Sequence, residues 1–201
     1  MKIDAVKIYR YSLKLKNPLT LKDIVIAFRE GLVIKLQSGD YTAWGEIAPL
    51  PGFSHEDLQK AIKDSLLLQS SLTGSEIPTN ILPLDKAFEK WLDKYNLSKS
   101  VRFGFETAIL HLIAQSKKTD FISLLNNKFI PLVKINGLLI GDRTAVLQKA
   151  QSLCEIEYTA FKLKVGRESI KTEIETIRKV REIIGDNSVL RLDANRSFNL
   201  N

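Results

Sequence analysis

Two lysines stand two residues apart in a segment that otherwise has the pattern of a buried strand. In TAFKLKV, residues 159–165, Lys162 and Lys164 alternate with apolar residues. Because strand side chains alternate between faces, both lysines lie on one face of the predicted strand and the apolar residues lie on the other. Two ammonium groups held close together favour the loss of a proton from one of them, so this pair could supply a general base.

A cation and an anion share one face of the next strand-like segment. In SVLRLDANRS, residues 188–197, the same alternation places Arg191 and Asp193 together. If the two segments are neighbouring parallel strands, the lysines, the arginine and the aspartate all project into the same interior. A carboxylate there could hold Mg²⁺, which would stabilise the negative charge left when a proton leaves the carbon beside a substrate carboxylate.

The segment from residue 131 onward has the element order of parallel βα units. The predicted strands are 131–140, 159–165 and 188–197. Two predicted helices separate them, the first opening at Asp142 and the second ending at Gly185. The apolar residues expected on the buried sides are Val146, Ala150 and Leu153 in the first helix and Ile170, Ile174, Ile177, Val180 and Ile184 in the second.

The four charged residues also have an interpretation without function. Lysines at alternate positions are usual on the solvated face of an antiparallel sheet, and Arg191 could simply pair with Asp193 at a turn. The βα order favours chemistry, because strands in a helix-covered parallel sheet are normally apolar and charges on them are costly. Lys164 and Asp193 also come near the carboxyl ends of their strands, where α/β folds hold their active sites.

Residues 1–130 have a different pattern, which predicts a separate N-terminal α+β domain. Alternating segments predict an antiparallel meander with strands at about 2–16, 24–37 and 41–49. Helices are then expected at 54–74, 84–95 and 99–117. Ser54 is the expected cap of the first helix, Leu58, Ile62 and Leu66 its buried stripe, and Gly74 its stop.

Four stretches of this sequence resemble the enolase superfamily. FKLKVGR, followed by LRLDANRSF with its aspartate 29 residues after Lys164, resembles the superfamily as a whole. WGEIAPLPGFS at 44–54 and FGFETAILHL at 103–112 are similar to its o-succinylbenzoate synthase branch, the dehydratases of menaquinone biosynthesis. The resemblance implies an α+β capping domain at 1–130 and, at 131–201, the first three strands of a TIM-type (β/α) barrel.

The resemblance also implies a reaction and a role for each site residue. The reaction is the Mg²⁺-dependent dehydration of 2-succinyl-6-hydroxy-2,4-cyclohexadiene-1-carboxylate to 2-succinylbenzoate through an enediolate. Lys164 corresponds to the general base, Lys162 to the group that stabilises the enediolate, and Asp193 to the first Mg²⁺ ligand. Arg191 and Phe53 correspond to residues that contact the substrate.

Other functions begin from the same residues and stay open at this stage. N-acylamino acid racemases, dipeptide epimerases and muconate-type cycloisomerases of the same superfamily start with the same proton abstraction. A non-catalytic binding module is an alternative of another class. The superfamily also needs two further acidic metal ligands and a second catalytic lysine on later strands, whereas three barrel strands are predicted before Asn201. We therefore expect a fragment of a longer protein that is inactive alone.

Composition narrows the class of protein and its partners. The chain has 201 residues, 44% of them hydrophobic, and a net charge of +7 whose lysines and arginines never form a run of five. We expect a small-molecule carboxylate as partner and neither nucleic acid nor membrane, with the oligomeric state open. The single cysteine and the absence of a signal-peptide pattern or long apolar run favour a soluble cytoplasmic enzyme. His55 and His111 are expected to be structural.

Overall fold

The computed structural model of the chain describes residues 1–21, 24–79, 86–126, 128–195 and 197–198, with only the backbone at 86–89. The chain divides into two compact units, unit 1 (Met1–Phe129) and unit 2 (Ile130–Asn201). It is a mixed α/β fold with one antiparallel and one parallel sheet in the part described. Among these residues no helix is both long and apolar enough to cross a membrane.

Unit 1 contains an antiparallel sheet followed by helices. Its elements are β1 (Ala5–Leu21), β2 (Ile24–Ser38), β3 (Tyr41–Ile47), α1 (Leu58–Leu72), α2 (Lys86–Asp93), α3 (Lys99–Ser116) and α4 (Phe121–Leu125). The strands pair in the order β1-β2-β3, which confirms the predicted meander. Gly39, with φ of +54°, closes the turn between β2 and β3, a conformation that glycine adopts at little cost.

Helix α3 packs on the sheet through an approach of backbone to backbone. Phe105, Ala108 and Ile109 of α3 are fully buried in the core of unit 1. At the crossing with β3, a β-carbon added to Gly45 would lie 1.9 Å from the carbonyl oxygen of Gly104. One added to Gly104 would lie 2.7 Å from the carbonyl oxygen of the residue after Gly45. Glycine is therefore required on both sides of this contact.

The N-terminus of α3 is capped by carboxylates from outside the helix. The N-cap residue Ser98 makes no side-chain cap bond of its own. Instead its backbone N–H donates to Asp64 at 3.3 Å, and the N–H of Ser100 donates to Glu56 at 2.8 Å. Burial raises the pKa of both carboxyl groups, but hydrogen bonds from Ser100 to Glu56, and from Lys60 and Ser98 to Asp64, outweigh it and leave both pKa values below the usual range.

The structure corrects the predicted start of the first helix. Ser54 is not its cap, because the Ser54 hydroxyl accepts the N–H of Leu50 and closes the preceding loop. The cap is Asp57, whose carboxylate accepts the N–H of Lys60 at 2.7 Å. Leu66 is also 51% exposed, since the buried stripe runs through other positions. The buried residues of α1 are Ala61, Ser65, Leu68 and Leu72.

Unit 2 is a three-stranded parallel sheet covered on one face by two helices. Its elements are β4 (Gly137–Leu139), α5 (Arg143–Glu155), β5 (Ala160–Lys164), α6 (Ile170–Ile184) and β6 (Val189–Asp193), and the strand order is β4-β5-β6. The predicted βα alternation is confirmed. Asp142 caps α5 by accepting the N–H of Ala145, and Gly185, with φ of +72°, follows the last residue of α6.

Two sequence predictions for unit 2 overestimated the extent of a feature, namely the length of the first strand and the buried stripe of the second helix. The first strand was expected at 131–140, but it spans three residues, which pair with Phe161–Leu163 of β5. The predicted apolar stripe of α6 is buried only toward its C-terminal end, at Val180 and Ile184. Ile170 is 73% exposed, and Ile174 is also exposed.

The glycine contact between β3 and α3 predicts a destabilising effect of one methyl group. Alanine normally stabilises a helix by about 0.5–1 kcal/mol relative to glycine. We expect Gly104→Ala instead to lower the free energy of unfolding by about 1–3 kcal/mol, because the backbone of β3 must move to admit the β-carbon. Urea unfolding of the intact protein would measure this change. Ser71→Ala, at an exposed position of α1, is the control and should change stability by less than about 0.5 kcal/mol.

The two carboxylates at the N-terminus of α3 predict acid sensitivity. Their folded-state pKa values are lowered, so the stability they contribute is present above the unfolded values of 4.5 and 3.8 and is lost as pH falls through the folded values. In Glu56→Gln and Asp64→Asn proteins, the decline in unfolding free energy below pH 4.5 should be shallower than in the parent. Glu76→Gln, at an exposed site, should keep the parental slope. Identical slopes in all four proteins would contradict this assignment.

Candidate active site

The parallel register of β5 and β6 brings the predicted charged residues together. Lys162 is paired with Arg191 and Lys164 with Asp193, so the four residues occupy alternate rungs of one ladder and share one face of the sheet. Their neighbours on the other face of β5, Phe161 and the two residues flanking Lys164, are buried against the helices. The alternation predicted from sequence is therefore confirmed in β5, and the rung of Lys164 and Asp193 is the last one of both strands.

Asp193 is the centre of this cluster. Its Oδ2 atom lies 2.6 Å from Nζ of Lys162 and 2.8 Å from Nζ of Lys164. Its Oδ1 atom accepts the backbone N–H of Asn195 at 3.0 Å. Hydrogen bonds from the two lysines, with a further one from Asn195, hold the pKa of the Asp193 carboxyl well below its usual range. This residue is therefore an anion on which two ammonium groups converge.

Asn195 is a site residue that the sequence analysis missed. Its side-chain oxygen accepts a hydrogen bond from Nζ of Lys164, which is the least exposed member of the cluster at 18% of its side chain. The backbone of Asn195 is left-handed, with φ of +47°, a conformation that asparagine tolerates better than most residues. An asparagine two positions after a strand-end aspartate was the available signal.

Arg191 is held by a second asparagine that the sequence analysis missed. Its Nη1 atom donates to the side-chain oxygen of Asn136, which directly precedes β4. Arg191 thus links the first and last strands of the described sheet on the face that carries the lysines. Asn136 was predicted only as part of a longer strand, so nothing in the pattern distinguished it as a polar partner.

The loop after β5 is tied to helix α6 by one carboxylate. Oε1 of Glu173 accepts the backbone N–H groups of Gly166, Arg167 and Glu168 at 2.5, 2.8 and 3.3 Å. Although burial raises the pKa of Glu173, these three hydrogen bonds outweigh it and place the pKa below its usual value. Three consecutive N–H groups that converge on one oxygen fix the conformation of this loop.

The oxygen atoms of this cluster have the right chemistry for a hard cation, although the cluster contains too few carboxylates to hold one. Asp193 and Asn195 present carboxylate and amide oxygens, the ligands that Mg²⁺ prefers. Within the described parts of the chain, no three His, Cys, Asp or Glu side chains lie close enough together to hold a metal ion. Asp193 therefore fits as one ligand of a site that requires more carboxylates.

Phe53 and the two histidines belong to unit 1. Phe53 is 59% exposed and lines a concave surface of that unit together with His55 and Phe103. His111 stacks on Phe121, with ring centroids 4.3 Å apart and planes inclined by 13°. The structure thus brings together four of the five predicted site residues in unit 2, and the fifth, Phe53, belongs to unit 1.

Both parts of the chain match known protein families. Residues 3–112 match the family described as MenC, N-terminal domain, and residues 145–201 match the family described as enolase C-terminal domain-like. The chain is 32% identical to the o-succinylbenzoate synthase of Aliivibrio salmonicida and 31% identical to that of Yersinia enterocolitica. Each alignment covers 96% of this chain and 51% of the relative, so the chain spans about half the length of the curated relatives it matches.

Solved structures share the fold. The o-succinylbenzoate synthase of Thermosynechococcus elongatus, complexed with Mg in the active site, is 26% identical over 97% of this chain and 53% of its own, with a TM-score of 0.69. A dipeptide epimerase of Enterococcus faecalis, complexed with Mg and a dipeptide, is 23% identical over 98% and 55%, with a TM-score of 0.83. Because the MenC domain family matches more than half of its residues, the chain belongs to the MenC family, the o-succinylbenzoate synthase branch of the enolase superfamily.

Proposed function

We propose that this chain supplies the capping domain and the first three barrel strands of an o-succinylbenzoate synthase, an enzyme of menaquinone biosynthesis. The observation that carries the proposal is the convergence of Lys162 and Lys164 on one oxygen of Asp193, at the carboxyl ends of adjacent parallel strands. If these charged residues had no function, so many charges on a parallel sheet would only lower the stability of the fold. Membership of the MenC family supports the specific substrate.

Lys164 is the general base in this proposal. Its side chain is the less exposed of the two lysines, and its Nζ atom is held by Asp193 and by Asn195. As a free amine, it takes the proton from the ring carbon that bears the carboxylate. The hydroxyl on the neighbouring carbon then leaves as water with a proton from the same lysine. One C–H bond and one C–O bond break, and the double bond formed between the two carbons completes the aromatic ring.

Lys162 and Arg191 stabilise negative charge in the same proposal. Both lie on the face of the sheet that carries Lys164, two residues before the strand ends. Their positive charges suit the enediolate oxygens that form when the proton leaves, because charge that is already oriented needs no reorganisation during reaction. Asn136 orients the guanidinium of Arg191. The role of Phe53 in lining the substrate pocket is inferred from the family resemblance alone.

Asp193 is the proposed first ligand of Mg²⁺. When bound, the cation neutralises charge on the substrate carboxylate and so makes the neighbouring C–H bond more acidic. The resemblance to the superfamily implies two further acidic ligands and a second lysine on later barrel strands. The Mg-bound solved relatives support this choice of cation. On this basis we expect the 201-residue chain alone to be inactive.

Dehydration is preferred to epimerisation as the reaction. Both begin with the same proton abstraction, and the epimerase and racemase structures share only the fold with this chain, at 23% identity or below. The o-succinylbenzoate synthases of Aliivibrio and Yersinia are the more similar sequences. Assaying the complete protein with the cyclohexadiene carboxylate and with dipeptides would separate the two reactions.

We propose a small carboxylate as the substrate. We propose no nucleic-acid partner, because the excess positive charge is scattered through the sequence.

Replacement of Lys164 tests the proposed base. In the complete protein, Lys164→Ala should lower kcat for dehydration by about 10²- to 10⁴-fold, which is the usual contribution of general base catalysis. Circular dichroism should show an unchanged fold. The control is Lys179→Ala, at an exposed position of α6, which should leave kcat within about twofold of the parent. Turnover by Lys164→Ala within tenfold of the parent would rule out this role.

Replacement of Asp193 tests the proposed metal ligand. Asp193→Asn in the complete protein should raise the Mg²⁺ concentration needed for half-maximal binding at least about tenfold, because a charged ligand of a hard cation is lost. Calorimetric titration of Mg²⁺ into the protein measures this directly. Asp186→Asn, at an exposed site after α6, should give the parental titration. A parental Mg²⁺ affinity in Asp193→Asn would place the metal elsewhere.

A further inference from the structure

We propose that Glu173 is a positioning residue for Lys164, which it reaches through two loops rather than through direct contact. This inference rests on the proposed function, since it concerns the placement of the proposed base. Glu173 lies in the first turn of α6 and does not belong to the charged face of the sheet. Its carboxylate instead points back to the loop that follows β5.

The first step is the hold of Glu173 on that loop. One oxygen accepts the N–H groups of Gly166, Arg167 and Glu168, which are three of the four residues between the end of β5 and the cap of α6. Without this acceptor, three successive amide groups would lose their shared partner, and the loop would be free to take other conformations. The strand itself is anchored separately, by Leu163 and Val165 in the core.

The second step is the contact between this loop and the loop that follows β6. The α-carbon of Gly166 faces Ser197 so closely that an added β-carbon would lie 1.7 Å from the Ser197 hydroxyl oxygen. The N–H of Ser197 in turn donates to the carbonyl of Ala194 at 2.9 Å, which folds this second loop around Asn195. The position of Gly166 therefore limits where Asn195 can lie.

The third step is the bond from Asn195 to the base. The side-chain oxygen of Asn195 accepts from Nζ of Lys164, while its backbone N–H donates to Asp193. Both partners of the Lys164 ammonium group thus sit in or beside the loop that Gly166 abuts. Releasing the loop after β5 moves the group that orients the base, and displacements of about 1 Å can cost about 10²-fold in rate.

A neighbouring glutamate on the same helix provides a control for the alternative that Glu173 only holds α6 in place. Glu175 pairs with Arg143 of α5 at 3.1 Å and so ties the two helices together. It makes no hydrogen bond to the loop among the contacts of the described residues. Glu175→Ala is therefore a control that loosens α6 without releasing Gly166.

The test compares the length of the side chain with its charge in the complete protein. Glu173→Asp keeps the charge but shortens the reach, whereas Glu173→Gln keeps the reach and one oxygen acceptor but loses the charge. We expect Glu173→Asp and Glu173→Ala to lower kcat for dehydration by about 10- to 100-fold with KM within about threefold, and Glu173→Gln to stay within about threefold of the parent in kcat. Glu175→Ala should keep the parental kcat.

Hydrogen exchange supplies a readout that is independent of turnover. The amides of Gly166, Arg167 and Glu168 should exchange at least about tenfold faster in Glu173→Asp than in Glu173→Gln, with exchange in the middle of α6 unchanged. Parental kcat in folded Glu173→Asp, or loss of kcat in Glu173→Gln alone, would overturn the inference while dehydration by the parent upheld the proposed function. A parent without dehydratase turnover would overturn both.

Discussion

The register between two parallel strands is the constraint on which the site depends. Because Lys164 is paired with Asp193, and β5 and β6 run in the same direction, the last residue of each strand faces its counterpart at the same edge. A shift of one residue would turn every charged side chain into the core and every apolar one into the site. Burial of Phe161 and Leu163 under the helices makes such a shift costly, so packing on one face fixes the chemistry on the other.

Much of this arrangement follows from the local sequence pattern. The alternation around Lys162 and Lys164, the capping aspartate before α5 and the glycine after α6 are each local signals, and the structure places them as predicted. The family resemblance rested on four stretches, two in each unit, and the matches to the two domain families confirm it. Short-range signals were sufficient for these three features because each depends on residues close together in the sequence.

The remaining features depend on contacts that no local pattern encodes. Asn195 and Asn136 acquire their roles only when three strands are placed side by side. Asp57 rather than Ser54 caps α1 because the serine hydroxyl is already used by a loop, and both residues have equal capping ability in isolation. The length of β4 was overestimated because the apolar pattern of 131–140 continues beyond the three residues that pair with β5.

The borrowed caps of α3 have a consequence for the order in which unit 1 folds. Two N–H groups at the start of α3 donate to carboxylates of residues 34 and 44 positions away in the sequence. An isolated helix of this length begins as a nucleus that is unfavourable by itself, and here the groups that would stabilise its first turn arrive only by closing two long loops. Formation of the complete helix is therefore coupled to docking of α1 and its preceding loop, so secondary and tertiary structure in this unit appear together.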